Sequence, residues 1–292
     1  MPQAAGRAIT GVWTVNATGP ETATITEILW NDRLNSTAGE TFSVACVAWN
    51  AMPARETVLM RTGPLAGFRN LIINGNPLVN QRSYASGQAT IAANQYTLDR
   101  WRVVTSGQAV TFTDSLGVRT VTAPAGGMEQ VIEGLSNLGG VHTLNWTGTA
   151  TATVGGGAVA KGAQFTLTGN DGVTVRMTGG TWSQLQQEPG NQATPFERRP
   201  IGVEFLLCQR YYEIGVAVVG YAVNTVNTIH YSPVSIVRKR VSPTVVQSSA
   251  GLVNVSSCTA VASSQTSLYI DLQATAAGNC AATSTWTASA EL

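Results

Sequence analysis

The side chains able to do acid–base or thiol chemistry are sparse: two histidines, 16 acidic residues and four cysteines in a chain of 292. His142 and His230 sit in neither a His-Glu-x-x-His nor a Gly-x-Ser-x-Gly context. A Ser-His-Asp triad is assembled in space rather than in sequence, so the expectation for both is an ordinary packed or surface histidine. Glycoside hydrolysis needs two carboxyl groups roughly 5–10 Å apart, one with a raised pKa. Glu129 and Glu133 are the nearest such pair in the middle of the chain, and their spacing puts them on one face of either a strand or a helix. That alone defines no acid/base site. Cysteines 46, 208, 258 and 280 never form Cys-x-x-Cys, so metal-ligand spacing is absent. Cys258 and Cys280 are placed to pair across two carboxy-terminal strands, whereas four reduced, mostly buried thiols suit a chain made in a cytoplasm. The glycine clusters near 126, 139, 155 and 179 never precede Lys-Ser/Thr, so phosphate loops are missing too. The expectation is a non-enzyme with no catalytic residues, metal or cofactor.

What remains is aromatic side chains on a β-scaffold. Tyr and Trp stack on sugar rings while neighbouring polar groups bond the hydroxyls. Tyr221, Tyr231, Tyr269 and Trp286 lie near the carboxy end, and Tyr231 and Trp286 are the candidate carbohydrate-binding residues. Core packing is the competing reading for each. The net charge is +1, which excludes the concentrated positive field that nucleic acid requires. The densest basic run, Arg238-Lys239-Arg240, reads as solvated or salt-bridged strand residues, with a modest positive charge suited to anionic glycans. No run of 18 apolar residues crosses a membrane, and no apolar core follows Arg7 to make a signal peptide. The expected origin is a cytoplasm.

The elements that must position these residues read as strands. Charged residues are 11% of the chain, against about 25% in an ordinary domain; Thr, Ser, Asn and Gly carry the polar surface, as suits obligate oligomers rich in β-structure. Strand patterns occupy 22–29, 42–46 and 56–60, after which 61–67 reads as a linker. Asn74-Gly75 is a tight-turn signal between two expected strands. In 141–154 the even positions Leu144, Trp146, Ala150, Ala152 and Val154 form an apolar row opposite threonines, a half-buried period of two. Ala163, Phe165 and Leu167, then Val173, Val175 and Met177, repeat it. Strands this close leave no room for helices and argue for an antiparallel sandwich or jelly roll. One short helix is expected near 203–213, with an apolar arc too wide for one contact face. Strands then resume at 216–219, 228–237, 244–247 and 267–272. The fold class is therefore all-β, with β-sandwich or jelly-roll domains in tandem: an amino-terminal domain over 1–66, a jelly-roll β-sandwich over 67–200 and a helix-initiated β-rich domain over 201–292.

Several stretches carry a further likeness. NLIINGNPLVNQR at 70–82 and YTLDRWR at 96–102, then QLQQE at 184–188, ATPFERRPIG at 193–202 and CQRYY at 208–212, resemble in order and spacing a jelly-roll domain of tailed-bacteriophage fibre and appendage proteins. The likeness covers about residues 68–213, with Gln130–Val154 resembling the family's central strands. The chain departs from that pattern in being short between Arg102 and Gln130, where family loops hold ligand. The resemblance implies a carbohydrate-binding-like sandwich displayed as a homotrimer on the virion, an amino-terminal segment attached to other virion proteins, and a distal tip at 214–292 that meets host surface polysaccharide. A head fibre or capsid decoration protein, and a polysaccharide depolymerase spike, are the alternatives. Asp99 and Arg100 are expected to hold the turn around a buried Trp101.

Overall fold

The computed structural model describes residues 13–17, 23–28, 68–227 and 229–292. The chain divides into two compact units, Met1–Ala51 and Met52–Leu292. In the first, β1 (Trp13–Ala17) and β2 (Ala23–Ile28) pair antiparallel, with a register shift between Thr14 and Val15. The expected strands at 42–46 and 56–60, Cys46 and the boundary near 66 lie outside the described residues.

The second unit holds two β-sandwiches with separate cores. The first is built from β3 (Gln95–Tyr96), β4 (Arg102–Val103), β5 (Thr111–Ser115), β6 (Val118–Thr122), β7 (Met128–Ile132), β8 (Gly140–Gly148), β9 (Thr151–Val154), β10 (Gly157–Val159), β11 (Gln164–Leu167), β12 (Val173–Thr178) and β13 (Thr181–Pro189). One sheet has the order β10-β9-β12-β7-β4-β3, the other β11-β8-β13-β6-β5. The hairpins β3-β4, β5-β6 and β9-β10 stay within one sheet, while at most connections the chain crosses between the sheets. The apolar row at 144–154 does this at Ala150: Leu144 and Trp146 reach the core from β8, Ala152 and Val154 from β9 in the opposite sheet. Trp101 and Trp182 fill the centre with ring centroids 4.7 Å apart. Burying side chains of this size contributes roughly 1.5–3 kcal/mol each.

Asn74 makes the expected turn, but the flanking residues are not strands. Its positive φ of 56° is one Asn tolerates. Its side chain donates to the Val79 and Asp99 carbonyls, and Trp101 Nε1 donates to its carbonyl at 3.1 Å. The turn is packed inward because a Cβ on Gly75 would lie 2.2 Å from the Leu185 carbonyl oxygen. Only glycine permits that approach. Trp101, Asp99 and Arg100 are all buried.

Helix α1 (Ile201–Gln209) follows Pro200 and is shorter than expected. Of its residues only Cys208 is buried, and Ile201, Phe205 and Leu206 remain exposed. The second sandwich comprises β14 (Tyr212–Val223), β15 (Ile229–Ser235), β16 (Thr244–Val253), β17 (Val255–Ala262), β18 (Ser267–Ala274) and β19 (Gly278–Ser289). They form two three-stranded sheets, β14-β19-β16 and β15-β18-β17.

The motif stretches at 96–102 and 208–212 meet the end of the described chain at the junction of the two sandwiches. Arg100 and Arg82 both bind the Glu291 carboxylate, Arg82 at 3.0 Å. Arg102 Nη1 and Tyr96 Oη donate to the Leu292 carbonyl at 2.7 and 2.6 Å, and Arg240 Nε donates to the Ala290 carbonyl at 3.0 Å. The Arg100 guanidinium lies 3.4 Å above the Tyr211 ring and that of Arg82 3.7 Å above Tyr212. Planar, weakly hydrated guanidinium suits such stacked and forked contacts better than ammonium does. Burial pushes the Tyr211 hydroxyl up to about 12 despite the opposing charge of Arg100.

Candidate carbohydrate-binding face

Strand parity in the second sandwich sorts the aromatic candidates. On β18, Leu268, Ile270, Leu272 and Ala274 are fully buried. Successive side chains point to opposite faces, so Ser267, Tyr269, Asp271 and Gln273 point outward. Register then fixes their neighbours. Tyr231 on β15 lies opposite Asp271, and Pro233 opposite Tyr269. On the other side Thr259 of β17 lies opposite Asp271, and Val261 opposite Tyr269. Pro233 sits on an edge strand, where a missing N–H costs no ladder bond.

The outer face of β15-β18-β17 therefore carries two diagonal tyrosines beside a carboxylate. Tyr231 is 58% exposed. Its ring and that of Tyr269 meet edge to face, centroids 5.5 Å apart and planes at 79°. Thr259 Oγ1 donates to Asp271 Oδ1, and Ser256 Oγ reaches Gln273 Oε1 at 3.4 Å. An exposed aromatic ring ringed by short polar acceptors is a surface on which a pyranose can stack and have its edge hydroxyls bonded. Tyr231 and Tyr269 were legible as aromatic candidates. Asp271 was missed, although its outward parity was available from the apolar alternation through 268–274.

Two expectations are corrected here. Trp286 is not on the surface: β19 turns its even positions inward, and the indole is buried against Gly215, whose added Cβ would lie 2.3 Å from Cζ2. Tyr221 likewise faces the interior, its hydroxyl donating to the Leu272 carbonyl at 2.8 Å and its ring stacked on His230 at 4.3 Å. The basic run also fails to make a positive surface. Lys239 is fully buried, its ammonium 2.6 Å from Glu213 Oε2, and desolvation lowers its pKa against the pull of that carboxylate. Arg240 is spent on the junction, and only Arg238 is exposed.

The residues considered for catalysis are occupied structurally. Glu129 accepts from Arg102 Nε and Nη2 at 2.9 and 2.7 Å and from Arg176 Nε at 2.8 Å. Glu133 binds Arg210 at 2.9 Å. Asp99 is a carboxyl whose pKa is raised, by burial, and it is enclosed at the junction by Gln81 and Arg82. His142 is buried with Nε2 at 3.3 Å from the Gly139 carbonyl. Among the described residues Cys208, Cys258 and Cys280 are free thiols, and no group of three His, Cys, Asp or Glu side chains is placed to hold a metal. No described helix is long and apolar enough to cross a membrane.

A cleft of about 350 Å³ lies between the 196–200 connector and α1, lined by Asn76, Phe196, Arg198, Ile201 and Glu204 among others. Its charged groups are already engaged: Arg198 Nη2 donates to the Gly117 carbonyl at 2.9 Å, and Glu204 accepts from Arg199 and the Asn74 amide. The tyrosine face is the better-built site. Comparison with protein-family models, curated proteins and solved structures finds no match.

Proposed function

We propose that this chain is a non-enzymatic fibre or tail-tip appendage protein of a tailed bacteriophage that holds a host-surface glycan on the outer face of β15-β18-β17. The observation that carries the reading is exposed Tyr231 set against the half-buried Tyr269, with Asp271 opposite Tyr231 in the strand register. The motif resemblance over 68–213 supports the phage assignment, with residues 1–66 as the attachment to other virion proteins. A homotrimer is part of the proposal. The exposed Ile201, Phe205 and Leu206 of α1 favour it, and so does the other distal sheet. On β14-β19-β16 the outward positions Ile214, Val216, Val218, Thr283, Thr285, Thr287 and Val246 form a face without a charged side chain. Obligate interfaces are large, apolar surfaces of this kind.

Glycan capture by the purified chain tests the reading. Immobilised host-surface polysaccharide should retain the wild type, and Tyr231→Ala should lose roughly 1–3 kcal/mol of a contact dominated by ring stacking. A reducing-end assay on the same polysaccharide should show no turnover. Steady release of oligosaccharide would instead make the chain a depolymerase spike. Folded protein that neither binds host glycan nor competes with phage for adsorption would favour a head fibre or decoration role.

A further inference from the structure

The electrostatics of the tyrosine face narrow its ligand class, on the reading that this face binds glycan. The outward positions of the three strands are Ile229, Tyr231, Pro233 and Ser235 on β15, Ser267, Tyr269, Asp271 and Gln273 on β18, and Ser257, Thr259 and Val261 on β17. Together they carry one carboxylate and no lysine or arginine. Of the basic run, Lys239 is buried and Arg240 is bound to residues 290 and 291, and the exposed Arg238 lies beyond the end of β15 at Ser235, not at any of these positions.

We infer that the ligand is an uncharged polysaccharide and that Asp271 acts as a selectivity residue against anionic ones. Directly opposed residues on paired strands have Cβ atoms about 4.5–5.5 Å apart, so a pyranose lying on the Tyr231 ring has its edge at the Asp271 carboxylate. Thr259 occupies Oδ1 and is the one hydroxyl seen to donate to it, which leaves Oδ2 to accept from a sugar hydroxyl. Carboxylates accept such bonds strongly. An acidic sugar at the same place sets like charges about 4 Å apart with no cation between them. Even at the dielectric of water that costs about fivefold in affinity, and more as the stacked ring displaces solvent. Salt weakens the discrimination, since the site is exposed. The edge-to-face geometry offers one ring face rather than a flat two-ring bed, so the contact is with a single residue of the polymer.

The test is an array of neutral glycans and their uronate or sulfated counterparts, probed at low salt with the full chain and three variants. Tyr231→Ala defines which signals come from this face, and Asp271→Asn and Asp271→Lys alter its charge at an outward position that leaves the core intact. Wild-type signals that require Tyr231 should fall on neutral glycans. Asp271→Asn should admit the acidic counterparts at least fivefold more strongly, and Asp271→Lys should prefer them. Tyr231-dependent binding of wild type to acidic glycans would overturn the charge inference and leave glycan binding standing. Acidic-glycan binding unmoved by either Asp271 change would also overturn it. Loss of no signal in Tyr231→Ala would remove the binding face itself.

Discussion

The junction between the sandwiches makes a quantitative expectation for Glu291→Ala. The Glu291 side chain is 7% exposed and that of Arg100 is 1% exposed, so the variant strands a guanidinium out of reach of water. Removing one partner of a buried pair costs about 3–5 kcal/mol. Arg100 keeps its 2.7 Å bond to the Val131 carbonyl and its place over Tyr211, which sets the expectation at the lower end, about 3 kcal/mol. Arg82 is 14% exposed and can turn to solvent, so its arm adds only about 0–1 kcal/mol. For a unit of this size the melting temperature should fall by about 6–12 °C. Calorimetry is the assay, because it also reports whether the two sandwiches still melt as one transition. The companion variant Arg100→Met/Glu291→Leu removes both charges and should recover most of the loss, as apolar replacement of buried pairs usually does. A loss below about 1 kcal/mol in Glu291→Ala, or a double variant as unstable as the sum of its parts, would refute the claim that this buried pair fastens the junction.

Gly215→Ala puts a methyl 2.3 Å from the Trp286 ring, and should cost roughly 1–3 kcal/mol with a red shift in tryptophan emission; an unchanged melt would mean the indole sits elsewhere. His142 is buried, and desolvation lowers its pKa below 6.5. The unfolded chain therefore takes up the proton first, so the His142 contribution is full above 6.5 and is lost as pH falls below it. Urea titrations at about pH 7.5 and about pH 5 should show a steeper acid loss in wild type than in His142→Leu, and equal losses would contradict the burial. Val218 is 80% exposed on the charge-free face, so Val218→Lys should change folding stability by no more than about 0.5 kcal/mol yet lower the light-scattering mass from three chains to one. Wild type that is monomeric at micromolar concentration would remove the trimer.

Much of the fold was readable because its first sandwich obeys strand parity with large side chains. The rows Leu144–Val154 and Val173–Met177 declare their inward faces, and both are buried as expected. The second sandwich was read less completely. β17 and β19 showed only as strands around Cys258 and Cys280, without bounds, because apart from Trp286 their inward positions are small: Cys258 and Ala260 on one, Cys280, Ala282, Ser284 and Ala288 on the other. Their core is filled largely by Leu268, Ile270 and Leu272 of β18 and by Trp286. Where one strand supplies the volume, its partners need little, and an Ala/Ser/Thr strand has almost no hydrophobic contrast to read. The same small-residue parity hid the fate of Trp286, since its neighbours at 284 and 288 gave no sign that their side of the strand was the inner one.

The junction was illegible for a different reason. Arg82, Arg100, Arg102 and Arg240 are all distant in sequence from residues 290–292, and nothing in their local patterns announces that the fold brings them there. Low total charge is consistent with this use of arginine. Of the basic run, Arg240 is spent on the junction and Lys239 is buried against Glu213, and the outward positions of the tyrosine face carry a single carboxylate. A ligand matched to the sequence's apparent basic run would therefore be matched to three charges of which the fold leaves one, Arg238, on the surface.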